Sequence, residues 1–81
     1  MTVNGTLVTR LDVRGRTCPV PILMVTRGVS ALLPGESLEV VADDPQFAED
    51  VRAWCAHWGH TLAELETSAG VTTVSIVRGV R

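Results

Sequence analysis

Cys18-Pro19-Val20-Pro21 is the segment of this 81-residue chain whose residue types and spacing could do covalent chemistry. Proline suits the first turn of a helix because the donor it lacks has no intrahelical partner there, and its fixed φ is already helical. Pro19 is predicted at the first helical position and Pro21 at the third, so two rings stiffen the backbone under the Cys18 thiol. Val20 is then predicted to supply one of the few amides free to point at the sulfur. A helix N-terminus favours negative charge, and the thiolate is the nucleophilic form of cysteine. The chemistry indicated is nucleophilic attack by the Cys18 thiolate.

Magnitudes limit how far such a site activates the thiol. A dipole effect of about 0.3 to 1 kcal/mol lowers a thiol pKa by only about 0.2 to 0.7. Arg14 and Arg16, on either side of Gly15, act in the same direction, while Asp12, Asp43 and Asp44 oppose them. An ordinary or mildly acidic thiol is predicted, which suits exchange, since the best attacking thiol has a pKa near ambient pH. Asp43-Asp44-Pro45 reads first as a helix cap and second as a loop that positions sulfur or docks a partner.

Other candidates carry blander readings. Cys55 falls on an apolar helical stripe and is predicted to pack in the core. His57 and His60 lie near it, but residues 55 and 57 point in different directions on a helix, and no second ligand pair completes a metal site. Trp54 and Trp58 are one turn apart, and at least one is expected to pack against a sheet. No carboxylate pair, Ser/His/Asp arrangement or phosphate-binding glycine loop is present, and Cys18 has no histidine base beside it in sequence.

The elements that must position these residues follow from periodicity. Thr6 to Val13 alternates as a strand, with Leu7, Leu11 and Val13 on one side and Val8 and Arg10 on the other. From Pro19 to Leu33, Ile22, Val25, Val29 and Leu32 recur at helical spacing, and Pro34-Gly35 stops the run. Ser37 to Ala42 reads as a second strand. Asp44 and Pro45 then open a second helix with Ala48, Val51, Cys55 and Trp58 on its inner stripe, ended by Gly59. Two strands, Thr61 to Thr67 and Val71 to Arg78, are joined by a short hairpin at Ser68-Ala69-Gly70. The predicted fold is α/β: a two-layer βαβαββ sandwich in which both helices cover one face of a four-stranded mixed sheet. With the first two strands parallel, Cys18 and Asp43-Asp44 become neighbours at one sheet edge, where open α/β sheets usually bind ligands.

In order and spacing, Leu11-Asp12-Val13, Gly15, Cys18-Pro19-x-Pro21, Pro34-Gly35-Glu36-x-Leu38, Ala42-Asp43-Asp44-Pro45, Asp50, Cys55, His60-x-Leu62 and Glu66-Thr67 resemble the TusA/SirA-like family of small sulfur carriers. The resemblance runs from about residue 7 to 79 and implies the strand order 1-2-4-3. It implies that Cys18 accepts sulfur as a persulfide from a cysteine desulfurase or rhodanese-type donor and relays it to an acceptor protein, with no cofactor other than that covalent sulfur. The pathways it allows are tRNA thiolation, molybdenum-cofactor maturation and sulfur oxidation. Arg14, Gly15, Arg16, Pro19, Pro21, Asp43, Asp44 and Pro45 are the supporting or partner-binding candidates. Two departures bear on partner choice: Arg16 stands where the family often has an aliphatic residue, and lysine is absent. The rival readings are a thiosulfate-cleaving enzyme of the same family and a regulatory or protein-binding module without persulfide chemistry.

Composition agrees with a single small domain spanning 1–81. Hydrophobic residues make up 46% of the chain and charged residues 20%, the balance of a globular protein. A net charge of −2 gives no electrostatic footprint for nucleic acid or anionic membrane. Residues 1–5 lack the pattern of a signal peptide and no apolar run spans a bilayer, so a soluble, cytoplasmic protein is predicted. Two cysteines form no disulfide framework, and a reducing compartment keeps them available as thiols.

Overall fold

The computed structural model describes residues 8–79. Six elements follow one another: β1 (Val8–Asp12), α1 (Val20–Ser30), β2 (Ser37–Ala42), α2 (Phe47–Trp58), β3 (Thr61–Ser68) and β4 (Val71–Val77). The predicted start of the first strand, Thr6 and Leu7, lies outside the described residues. The sheet order is β1-β2-β4-β3, as the family resemblance implies. β1 and β2 run parallel with Leu11 opposite Val40, whereas β4 is antiparallel to both its neighbours, with Val74 opposite Val40 and Leu65.

Both helices cover one face of this sheet. Leu38, Val40 and Ala42 of β2 and Val74 and Ile76 of β4 are buried at alternate positions, and they meet Val25 and Val29 of α1 and Phe47, Val51 and Cys55 of α2. Each large side chain removed from water here contributes about 1.5 to 3 kcal/mol, so this single seam supplies most of the driving force. α1 approaches β2 closely at Gly28, where an added Cβ would stand 2.9 Å from Leu38 Cδ2. The low helix propensity of that glycine is the cost of this contact.

The boundaries depart from the sequence-based expectation in ways that have local causes. α1 stops at Ser30, short of Leu33: the Ala31 and Leu32 N–H groups donate three residues back, to Gly28 and Val29, and tighten the last turn. Leu32 remains buried beyond the helix end. Arg78, predicted within the last strand, instead follows β4 and donates from Nη1 to the carbonyls of Val29, Ser30 and Leu32. It thereby satisfies orphan acceptors at the end of α1.

The inner stripe of α2 is Phe47, Val51 and Cys55, with Trp54 partly buried against the core. Trp58, predicted on that stripe, is 55% exposed because Gly59 turns the chain into the left-handed region directly after it. The hairpin turn is tighter than predicted: β3 continues through Ser68, and only Ala69 and Gly70, both at positive φ, connect it to β4. Among the described residues no helix is long and apolar enough to cross a membrane.

Candidate functional site

Parallel pairing of β1 and β2 brings the segments that leave their C-terminal ends side by side, and the Val13 N–H extends the ladder by donating to Val41 at 2.8 Å. Gly15 turns the first segment with φ +82°, a region that disfavours any Cβ, and its N–H donates to Asp43 Oδ1 at 2.9 Å. Three residues on, the Cys18 N–H donates to Asp44 Oδ2 at 2.9 Å. The other oxygen of Asp44 accepts the Gln46 N–H at 3.1 Å, and the Asp44 carbonyl accepts the Phe47 N–H at 3.0 Å. Asp43-Asp44-Pro45 and the cysteine turn are therefore stitched together by side chain to backbone bonds, as their shared edge predicts.

Details of both helix starts differ from the sequence reading. Pro19 is the N-cap of α1, so Val20 is the first helical residue and Pro21, which is buried, the second. The Cys18-Pro19 peptide bond is cis. The Val20 N–H, predicted to face the sulfur, donates instead to the Thr17 carbonyl at 2.9 Å. Pro45 is exposed in the turn ahead of α2, which begins at Phe47; the Asp44 side chain caps that turn, not the first residues of the helix itself.

Charge at the site also falls differently from the expectation. Arg14 folds back on Asp12, with Nε to Oδ1 at 3.0 Å and Nη2 to Oδ2 at 2.8 Å, and this pair holds Asp12 down at about 2. Its guanidinium is thus engaged with Asp12, and Arg16 is exposed. Cys18 is exposed too, but its pKa is raised, not mildly lowered as predicted. Partial desolvation by the surrounding turn is the largest cause, and the neighbouring carboxylates of Asp50 and Asp44 follow. With the Val20 amide engaged and two prolines lacking N–H groups, the start of α1 offers little to offset them.

Asp50 is the member of this site that the sequence reading left out of its candidates. Its signals were its place in the spaced residues that resemble the family and its position near the start of the second helix, which reads equally well as a favourable dipole interaction. Cys55 is 3% exposed in the core, where burial pushes its thiol up to about 11, in keeping with a packing role. His57 and Trp58 meet edge to face, with centroids 4.7 Å apart, while His60 stacks on Trp54 at 5.0 Å and accepts the Gly79 N–H at Nδ1. These side chains line a groove of about 600 Å³ at the opposite end of the helix layer from Cys18.

A mixed sheet covered on one face, with a proline-flanked cysteine at the edge where two helices begin, is the frame of a small thiol protein. Residues 9–78 match the family described as Sulfurtransferase TusA, and the chain belongs to that family. Membership implies a sulfur carrier role and exchange with sulfur donors and acceptors. The crystal structure of a SirA-like protein from Desulfitobacterium hafniense is similar over 90% of this chain and 99% of that one, with a TM-score of 0.76 and 24% sequence identity. This likeness shows the common fold.

Proposed function

We propose that Cys18 receives sulfane sulfur as a persulfide from a cysteine desulfurase or rhodanese-type donor and passes it to an acceptor protein. The observation that carries this reading is an exposed thiol on a turn fixed from below by Pro19 and Pro21 and from the side by Asp44. A sulfur presented in this way is reached by the active-site cysteine of another protein. Val20 and Leu23 continue from it as exposed apolar residues of α1, 37% and 60% accessible, and give a partner an apolar surface beside the reacting atom. Arg14, Gly15, Arg16, Asp43 and Pro45 frame the other side, so both flanks of the cysteine belong to the docking surface in this reading.

The transfer balances without an external oxidant. The Cys18 thiolate attacks the outer sulfur of the donor persulfide, a new S–S bond forms, the donor S–S bond breaks, and its electron pair leaves on the donor cysteine, which takes up the proton Cys18 released. Unloading repeats the step with the acceptor thiolate as nucleophile. The downstream uses of tRNA thiolation, molybdenum-cofactor maturation and sulfur oxidation differ in the acceptor that unloads the carrier.

Mass spectrometry after incubation with a desulfurase and cysteine is expected to show one added sulfur on the peptide carrying Cys18, none on that carrying Cys55, and none at all in Cys18→Ser. An adduct that persists in Cys18→Ser would falsify the assignment. Sulfur release from thiosulfate without a partner would make the chain an enzyme instead of a carrier.

A further inference from the structure

The groove between the ends of α1 and α2 holds a guanidinium that is only half used. All three side-chain hydrogen bonds of Arg78 leave from Nη1, towards the carbonyls of Val29, Ser30 and Leu32. Its Nε is buried without an acceptor, so the edge formed by Nε and Nη2 makes no hydrogen bond among the described residues. That same edge holds a carboxylate elsewhere in the chain: Arg14 binds Asp12 with Nε to Oδ1 at 3.0 Å and Nη2 to Oδ2 at 2.8 Å. A buried donor left unpaired is costly and uncommon, and it calls for an acceptor.

The rest of the lining favours an anion on a flat ring. Trp54 and Trp58 bring indole N–H groups, which can only donate, and His60 accepts the Gly79 N–H at Nδ1, which leaves its proton on Nε2 as a further donor. No Asp or Glu lines the groove, although the chain carries 9 of them against 7 Arg. The negative helix ends are already covered, α1 by Arg78 and the Cys55 carbonyl of α2 by the Gly59 and His60 N–H groups. His60 stacks on Trp54, whereas the Trp58 ring meets only the edge of His57 and is 55% exposed, so its surface is open to a planar partner. A volume of about 600 Å³ lies within the range of small-molecule sites.

We propose that this groove binds a small aromatic carboxylate, with the ring against Trp58 and the carboxylate on the Nε and Nη2 edge of Arg78. The site lies at the far end of the helix layer from Cys18 and does not depend on sulfur being carried there. Naphthoate is the probe, added to the full chain and followed by nitrogen–proton correlation spectra. Trp54 and Trp58 are the only tryptophans, so both indole signals report on the groove. Both indole signals and the Arg78 Nε–H signal are expected to shift along one saturable curve with a Kd of about 1 mM or below, the affinity within reach of a ligand of this size. Cys18→Ser keeps the same curve. Naphthamide, which has the same rings and no charge, is expected to bind about tenfold more weakly. Trp58→Ala, which removes an exposed side chain without opening the core, is expected to weaken naphthoate by a similar factor.

Indole signals that stay in place up to about 10 mM naphthoate overturn the proposal, and this needs no variant to fold. Naphthamide binding as tightly as naphthoate overturns it too, because the carboxylate then does not meet Arg78, and so does an unchanged affinity in Trp58→Ala. Two further results reassign the groove and reject the ligand: a Trp58 signal that moves with protein concentration alone makes it a face between copies, and one that moves with a desulfurase but not with naphthoate makes it a protein-docking face.

Discussion

Asp44 works as a two-ended clip, with one oxygen on the Cys18 N–H and the other on the Gln46 N–H, so a single side chain joins the cysteine turn to the entry of α2. Asp44→Ala leaves both amides without their acceptor, and at about 0.5 to 1.5 kcal/mol net per bond the loss of stability is expected to be about 1 to 3 kcal/mol. The same change removes one of the charges that raise the Cys18 thiol, so its alkylation midpoint falls as well. Asp44→Asn separates the two effects: its carbonyl oxygen retains one amide contact while the charge is gone. Its urea midpoint is expected between those of wild type and Asp44→Ala, whereas the Cys18 profile moves as far as in the alanine variant. A midpoint that follows stability and not charge would show that the site is ordered by Asp44 but not electrostatically tuned by it.

The elements are closed at the far end by Arg78 and Gly79, which tie the end of β4 to both helix C-termini. Arg78 reaches the last carbonyls of α1, and the Gly79 N–H reaches His60 just past α2. A Cβ on Gly79 would lie 2.1 Å from the Gly59 carbonyl oxygen, a backbone atom that cannot rotate away. Gly79→Ala is therefore expected to lose about 2 to 4 kcal/mol by separating β4 from the α2 terminus, seen as a lower denaturation midpoint. The opposite sign is expected at the hairpin. Ala69 sits at φ 52° ahead of Gly70, the geometry that favours Asn-Gly, so Ala69→Asn should gain about 0.5 to 1 kcal/mol. Element order, the α1 stripe and the meeting of Cys18 with Asp43-Asp44 were legible in sequence because they follow from period, cap and parallel pairing. The strand order came from the family motifs, since periodicity does not choose between neighbours. Trp58 and the Val20 amide were not legible: each depends on where a helix begins or ends to within one residue, and on which tertiary acceptor lies closest.

Across the whole molecule, two buried or half-buried groups near α2 bound the pH range in which the fold is most stable. His60 holds the Gly79 N–H on its unprotonated Nδ1, and partial burial followed by the charge of Arg78 lowers its pKa from 6.5. A lowered histidine favours the folded state above its unfolded value, so this contribution is complete above about pH 6.5 and is lost as pH falls through the folded value. Cys55 acts at the other limit. Its thiol, raised from 9.0 to about 11 in the core, favours the folded state fully below pH 9.0, and the contribution disappears as pH rises towards about 11. A difference of that size corresponds to about 2 to 3 kcal/mol, a large share of the stability of a small domain. Urea midpoints measured in a Cys18→Ser background, which removes the other raised thiol, are expected to form a plateau from about pH 6.5 to about pH 9 with a fall on each side. Cys55→Ala should lower the plateau by about 1 kcal/mol through the small cavity it leaves, yet flatten the alkaline fall. A Cys55→Ala protein that keeps the full alkaline slope would place its origin outside the core and remove Cys55 as the group that sets the upper limit.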